Sequence, residues 1–246
     1  MDATSPALRL FVLHHAGGSH VPYRRWPELL PEQWEVHLLD APGRGRLGDL
    51  PPFDNAVRLA DFFLRRMEPD LQSPFAFFGH SMGALVAYEM TLQLAAKGRT
   101  LPVWLGLSAR GAPRPGVRSA STTSCRTPNS RRIWSCWAAP PTRSSTILAC
   151  GRCTTRSSGE TCAWWRRRPR PETPALPVAM SVFGGSDDTS VPPRRLAGWE
   201  QHTERFLGLQ VLDGGHFYFQ DDPGPLLARI RKDVAEATAP AAAAAS

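Results

Sequence analysis

The chain has 246 residues, a length that suits one α/β domain with a sizeable core, and 42% of them are apolar, as is ordinary for a globular protein. Its net charge of +7 does not indicate nucleic-acid binding, because ten Arg and Glu160 give residues 117–168 a charge of +9 and leave −2 for the remainder. No apolar run reaches the roughly 18 residues of a membrane span, and no secretion signal opens the chain. We therefore expect a cytoplasmic protein that binds neither nucleic acid nor membrane.

Short apolar runs alternate with amphipathic segments along most of the chain. The runs predict buried strands at residues 8–13, 36–39, 75–78, 103–107, 178–183 and 209–212. The intervening patterns predict helices at residues 56–67, 84–94, 194–206 and 226–235. This alternation is typical of the α/β class, with a mostly parallel central sheet and helices on both faces.

A glycine-rich loop, His14–Ser19, follows the first predicted strand. Its small residues leave the backbone N–H groups open to a ligand. A phosphate-binding loop is the competing interpretation, but the chain lacks both G-x-G-x-x-G and G-K-[ST].

The sequence Gly79-His80-Ser81-Met82-Gly83 follows the third predicted strand and precedes a helical pattern. This strand–G-x-S-x-G–helix context predicts a sharp turn that exposes the Ser81 hydroxyl as a nucleophile, although G-x-S-x-G alone also occurs by chance. Acyl transfer requires donors for the developing oxyanion. We expect these to be the backbone N–H groups of Met82 and, from the first loop, Ala16.

A serine nucleophile needs a base, and the chain order on this type of sheet is serine, acid, histidine. His216 follows the last predicted strand in a glycine-rich loop, which makes it the candidate base. Asp187 and Asp188 both follow the preceding strand. Either carboxylate could orient the imidazole, and we favour Asp188.

Residues 117–168 do not share the pattern of the flanking sequence. They contain all five Cys, four of the eight Trp and seventeen Ser or Thr, and neither hydrophobic period is visible. Cys150, Cys153 and Cys162 lack the second ligand pair of a metal site, and a disulfide framework is unexpected without an export signal. One-base-shifted GC-rich codons for Leu, Glu and Asp would give this composition, so we interpret the segment as frameshifted; a disordered basic insertion is the alternative. Residues 237–246 are predicted to form a disordered Ala-rich tail.

Five motifs together resemble the type II thioesterases of polyketide and nonribosomal peptide synthesis. They are H-A-G-G-S at 15–19, P-G-R at 42–44, G-H-S-M-G at 79–83, G-G-S-D-D-T-S-V at 184–191 and G-G-H-F-Y-F at 214–219. The resemblance spans about residues 8–116 and 174–233. It implies an α/β-hydrolase core at 1–116 and 169–236, with a lid insertion at 117–168.

The resemblance also implies a function. The reaction would be hydrolysis of acyl groups from the phosphopantetheine arm of acyl or peptidyl carrier proteins, which are the implied partners, with no metal or organic cofactor. Ser81, Asp188 and His216 would form the triad, and Ala16 and Met82 the oxyanion hole. His14 and Thr189 replace two prolines usual in the family, and residues 117–168 as written lack its helical lid pattern. Two alternatives are an esterase or lipase acting on free esters and a lid-damaged, non-catalytic carrier-binding protein.

Overall fold

Six β-strands form one sheet in the computed structural model, which describes residues 6–113 and 174–239. The strands are β1 (Leu8–Leu13), β2 (Trp34–Leu39), β3 (Phe75–His80), β4 (Trp104–Ser108), β5 (Leu176–Gly185) and β6 (Thr203–Leu212). They lie in the order β2-β1-β3-β4-β5-β6, and all five pairings are parallel. The predicted parallel sheet is confirmed, and all six strands end at the same edge.

Helices cover both faces of the sheet, as the alternating pattern predicted. They are α1 (Trp26–Leu29), α2 (Ala56–Met67), α3 (Met82–Ala96) and α4 (Gly224–Thr238). Helices α2 and α3 pack with Phe77 on one face, and α1 and α4 pack with Phe78 on the other. Neighbouring residues of a strand point to opposite faces, so one continuous apolar strand supplies both cores.

Helix α2 illustrates how the sequence sets its bounds. The Asn55 side chain accepts hydrogen bonds from the backbone N–H groups of Val57 and Arg58, at 2.8 and 3.4 Å, and so caps the first turn. Residues spaced three and four apart are buried against the sheet: Ala56, Leu59, Ala60, Phe63, Leu64 and Met67. The 3.6-residue period thus places one apolar stripe on the core.

The helix predicted at residues 194–206 is wrong. Two short 3-10 helices, Pro193–Arg195 and Ala197–His202, precede β6, which begins at Thr203. Strand β5 is ten residues long and pairs with β6 at both of its ends, with two register irregularities between Leu176 and Ser181. The Thr203 hydroxyl also donates to the Val178 carbonyl at 2.5 Å. Pairing with β5 therefore outweighs the local helical pattern.

The predicted lid segment and the predicted end of the core lie at the limits of the described residues. The segment 117–168, with its five Cys and its expected lid, lies outside them. Helix α4 runs to Thr238, two residues past the predicted core boundary at 236, and residues 240–246 also lie outside. Among the described helices, none combines the length and apolar character required to cross a membrane.

Candidate active site

Ser81 lies in a strained turn between β3 and α3. Its backbone φ is 56° and its ψ is −107°, a left-handed conformation that is uncommon for residues other than glycine. The Ser81 N–H donates a hydrogen bond to the Ser108 carbonyl at the end of β4, at 2.8 Å. This bond fixes the turn at the carboxyl edge of the sheet.

The two glycines of the turn are required by close backbone contacts. A Cβ atom at Gly79 would overlap the Gly83 carbonyl, and a Cβ atom at Gly83 would overlap the Leu13 carbonyl. The second contact also brings the start of α3 against the end of β1. The loop that follows β1 is therefore next to the residue after Ser81.

Asp188 and His216 form a close pair across the loops that follow β5 and β6. Asp188 Oδ2 lies 2.6 Å from His216 Nδ1, and the aspartate is 3% exposed. Its other oxygen, Oδ1, accepts hydrogen bonds from the Ser190 and Val191 N–H groups at 2.8 and 2.9 Å. Burial alone would raise the pKa of Asp188, but the bonds from His216 and from these two N–H groups outweigh it and lower the pKa. The carboxylate is thus held ionised beside the imidazole.

Asp187, the other candidate acid, is exposed. Its backbone N–H donates to the Gly214 carbonyl at 2.9 Å, which joins the two loops. Of the two aspartates left open by the spacing of the motif, Asp188 is the one in contact with the imidazole.

The loop after β1 is held from two sides by consecutive histidines. His14 Nδ1 donates to the His15 carbonyl at 2.7 Å, and His14 Nε2 accepts from the Ala41 N–H at 3.1 Å. The His15 ring contacts the Phe217 ring, with a centroid separation of 4.7 Å, beside the predicted base. Burial lowers the pKa of His15 to about 4, so the ring is neutral at physiological pH.

This loop and the turn at Ser81 present the two predicted oxyanion donors on adjoining segments. Ala16 packs against the same core cluster as Met82, which is the first residue of α3. Within the described residues, neither the Ala16 N–H nor the Met82 N–H donates a backbone hydrogen bond. Their role as oxyanion donors stays a prediction.

Ser81 and His216 are brought to the same edge of the sheet. The ring of His80, the residue before Ser81, lies 5.0 Å from the ring of His216. A hydrogen bond from Ser81 Oγ to His216 is not among those of the described residues. In enzymes without bound substrate such bonds are often long and shorten when the substrate binds.

Ser108 and Tyr218 are residues of this region that the sequence analysis did not single out. Tyr218 stands inside the G-G-H-F-Y-F motif, two residues after His216, so its position offered a signal. Ser108 offered none, because it is the last residue of an apolar strand. Among the described residues, no cluster of three or more His, Cys, Asp or Glu side chains could hold a metal ion.

Comparison with known proteins identifies the family. The thioesterase domain family matches residues 8–129. GrsT, a gramicidin S biosynthesis protein of Aneurinibacillus migulanus, is 26% identical over 95% of this chain and 91% of its own length. The thioesterase PikA5 of Streptomyces venezuelae is 30% identical over 89% of this chain and 78% of its own length. The chain belongs to the type II thioesterases.

A solved structure extends the likeness to the fold of this thioesterase. BorB, the type II thioesterase from the borrelidin biosynthetic cluster, has 25% sequence identity and a TM-score of 0.70, with 95% of each chain covered. The α/β-hydrolase fold expected from the motifs is therefore confirmed, and the thioesterase is a hydrolase that acts on thioesters.

Proposed function

We propose that this thioesterase releases acyl groups from the phosphopantetheine arm of acyl or peptidyl carrier proteins in polyketide or nonribosomal peptide biosynthesis. The observation that carries the proposal is the 2.6 Å contact between Asp188 and His216, at the sheet edge where the strained turn holds Ser81. The relatives support the pathway: GrsT is a gramicidin S biosynthesis protein, and BorB comes from the borrelidin cluster.

In the first half of the reaction, Ser81 Oγ attacks the carbonyl carbon of the thioester. His216 Nε2 accepts the hydroxyl proton as the new C–O bond forms. Asp188 holds Nδ1 protonated through its short contact and so leaves Nε2 as the basic nitrogen. The negative charge of the tetrahedral intermediate then falls on an oxygen bound by the N–H groups of Ala16 and Met82.

Collapse of this intermediate breaks the C–S bond. His216 gives its proton to the departing thiol, and the acyl group remains as an ester on Ser81. In the second half, a water molecule loses a proton to His216 and attacks the ester carbonyl. The acid leaves, and the proton returns from His216 to Ser81. No electrons are exchanged with a cofactor in either half.

A side-by-side assay tests the proposal. We expect an acyl-phosphopantetheine carrier protein to be hydrolysed faster than a p-nitrophenyl ester of the same acyl group, because only the first carries the arm and the protein partner. Ser81→Ala should lower turnover by about 10⁴-fold and prevent labelling by a fluorophosphonate probe.

Three outcomes would contradict the proposal. Equal or faster turnover of the simple ester would favour an esterase acting on free esters. Carrier-protein binding without turnover would favour a non-catalytic role. Labelling of Ser81→Ala at the rate of the parent would exclude Ser81 as the nucleophile.

A further inference from the structure

Ser108 links the turn that carries Ser81 to the loop that carries His216. It is the last residue of β4 and is fully buried. Its carbonyl accepts the Ser81 N–H at 2.8 Å. Its hydroxyl lies 2.8 Å from His80 Nδ1 and 2.7 Å from the Tyr218 hydroxyl. One side chain therefore contacts a neighbour of each proposed reacting residue.

Aromatic rings surround the His80 end of this link. The His80 ring is fully buried and lies 5.0 Å from His216, 5.4 Å from Phe217 and 5.0 Å from Phe219, measured between centroids. His80 therefore touches the proposed base directly. Its own position is set through Ser108.

The three linked groups are all uncharged. Burial lowers the pKa of His80 well below its usual value, and burial raises the pKa of Tyr218. The hydroxyl of Ser108 can donate to one partner while it accepts from the other, so both bonds form in either direction of donation. The link therefore supplies directional hydrogen bonds without placing a second charge beside Asp188.

The loop that carries His216 needs such a link. Gly214, with a φ of 118°, and Gly215 precede the histidine, and glycine backbone is the most permissive. The contact with Asp188 fixes one ring nitrogen of His216 but not its distance from Ser81. The Tyr218 hydroxyl is the polar group that ties the far side of this loop to β4.

We propose that Ser108 and Tyr218 are positioning residues, which hold the His216 loop at a fixed distance from the Ser81 turn through the hydrogen bonds among Tyr218, Ser108 and His80. This inference rests on the proposed function of Ser81 and His216. Misplacement of a catalytic group by about 1 Å can cost up to about 100-fold in rate, so loss of the link is expected to act on turnover.

The test compares two pairs of matched variants. Tyr218→Phe and Ser108→Ala each remove one hydroxyl of the link. Tyr23→Phe removes a buried hydroxyl that has no hydrogen-bond partner among the described residues. Ser181→Ala removes a fully buried serine hydroxyl that accepts a hydrogen bond from Trp104 Nε1 at 2.9 Å, away from the link. The measurements are kcat and KM with an acyl-pantetheine thioester, the labelling rate with a fluorophosphonate, and the thermal midpoint.

We expect Tyr218→Phe and Ser108→Ala to lower kcat and the labelling rate by about 10- to 100-fold, with KM within about twofold of the parent. Ser181→Ala should lower the thermal midpoint by a similar amount to Ser108→Ala yet keep kcat. Tyr23→Phe should keep the parental thermal midpoint and the parental kcat.

The inference is overturned if Tyr218→Phe keeps parental kcat and labelling, or if Ser181→Ala loses as much kcat as Ser108→Ala. Tyr218→Phe decides alone if Ser108→Ala does not fold. Ser81→Ala, measured in the same series, separates this inference from the proposed function. If Ser81→Ala is inactive while Tyr218→Phe matches the parent, only the positioning role fails. If Ser81→Ala reacts like the parent, the proposed nucleophile is wrong and the inference fails with it.

Discussion

Two adjacent aspartates have very different surroundings, although the sequence presents them as near equals. Asp188 is buried and in contact with His216. Asp187 is exposed, and its backbone N–H donates a hydrogen bond to the Gly214 carbonyl. Among the residues that the structure describes, the carboxylate in contact with the imidazole is that of Asp188, not that of Asp187.

We expect Asp188→Asn to lower kcat by about 10⁴-fold, because an amide favours the wrong tautomer of His216. Asp187→Asn is the matched control and should stay within about twofold of the parent. Measurement of kcat on one thioester substrate decides between them. Comparable losses in the two variants would contradict the assignment of the acid.

Two buried histidines, His14 and His80, and the half-buried His15 make stability depend on pH. Burial lowers the pKa of His14 and His80, and lowers that of His15 to about 4. Unfolded histidines take up protons below about pH 6.5. Between pH 6.5 and about 4 the unfolded state therefore binds more protons than the folded state, and the free energy of unfolding decreases as pH falls.

We expect urea unfolding to show a lower free energy of unfolding at pH 5 than at pH 7.5, by about 2 kcal/mol for each of these histidines that stays neutral in the folded state. His15→Gln should show a smaller loss over the same range, because it removes one of the three groups. A free energy of unfolding that is unchanged between the two pH values would contradict the account of these rings as buried and neutral.

At the scale of elements, the turn between β3 and α3 depends on the absence of two side chains. The carbonyl groups of Gly83 and Leu13 occupy the positions where Cβ atoms at Gly79 and Gly83 would lie. Because both obstacles are backbone, a side-chain rotation cannot relieve the overlap.

We expect Gly79→Ala to displace the turn, to lower the thermal midpoint and to abolish fluorophosphonate labelling of Ser81. Gly48→Ala provides the control, because a Cβ there has its nearest neighbour at 3.4 Å, in ordinary contact, and should change neither property. Parental labelling of Gly79→Ala would show that the turn tolerates a methyl group.

Most elements could be predicted from their local sequence, and the exceptions depend on contacts between segments that are distant in sequence. The strands and three of the four predicted helices follow from apolar runs and periods. The placement of Ser81, Asp188 and His216 at one edge of the sheet follows from motif and chain order, and their roles stay predictions. Residues 194–206 do not: from Thr203 onward they pair with β5, and two 3-10 helices precede Thr203. Ser108 and its bonds could not be predicted either, since they join strand ends that are distant in sequence.

At the scale of the whole molecule, the composition of residues 117–168 remains the basis of a prediction about the gene. One base gained or lost near codon 117, with a compensating change near codon 168, should restore a Leu- and Glu-rich helical segment. The restored protein should hydrolyse carrier-bound thioesters faster, because a lid excludes water and positions the acyl arm. Sequencing of this region tests the first claim, and stop codons in the neighbouring frame would refute it.

The register of β4 against β5 joins the two parts of the chain on which the site depends. Ser81 and Ala16 belong to the part before residue 109, whereas Asp188 and His216 belong to the part after residue 175, and the strands pair Ser108 with Phe183. The entropic cost of closing such a connection grows slowly, by about 0.6 kcal/mol for each doubling of its length. Insertions and deletions between the two parts are therefore thermodynamically inexpensive. Pairing of β4 with β5 therefore holds the proposed reacting groups in place, independently of the length of sequence between the two strands.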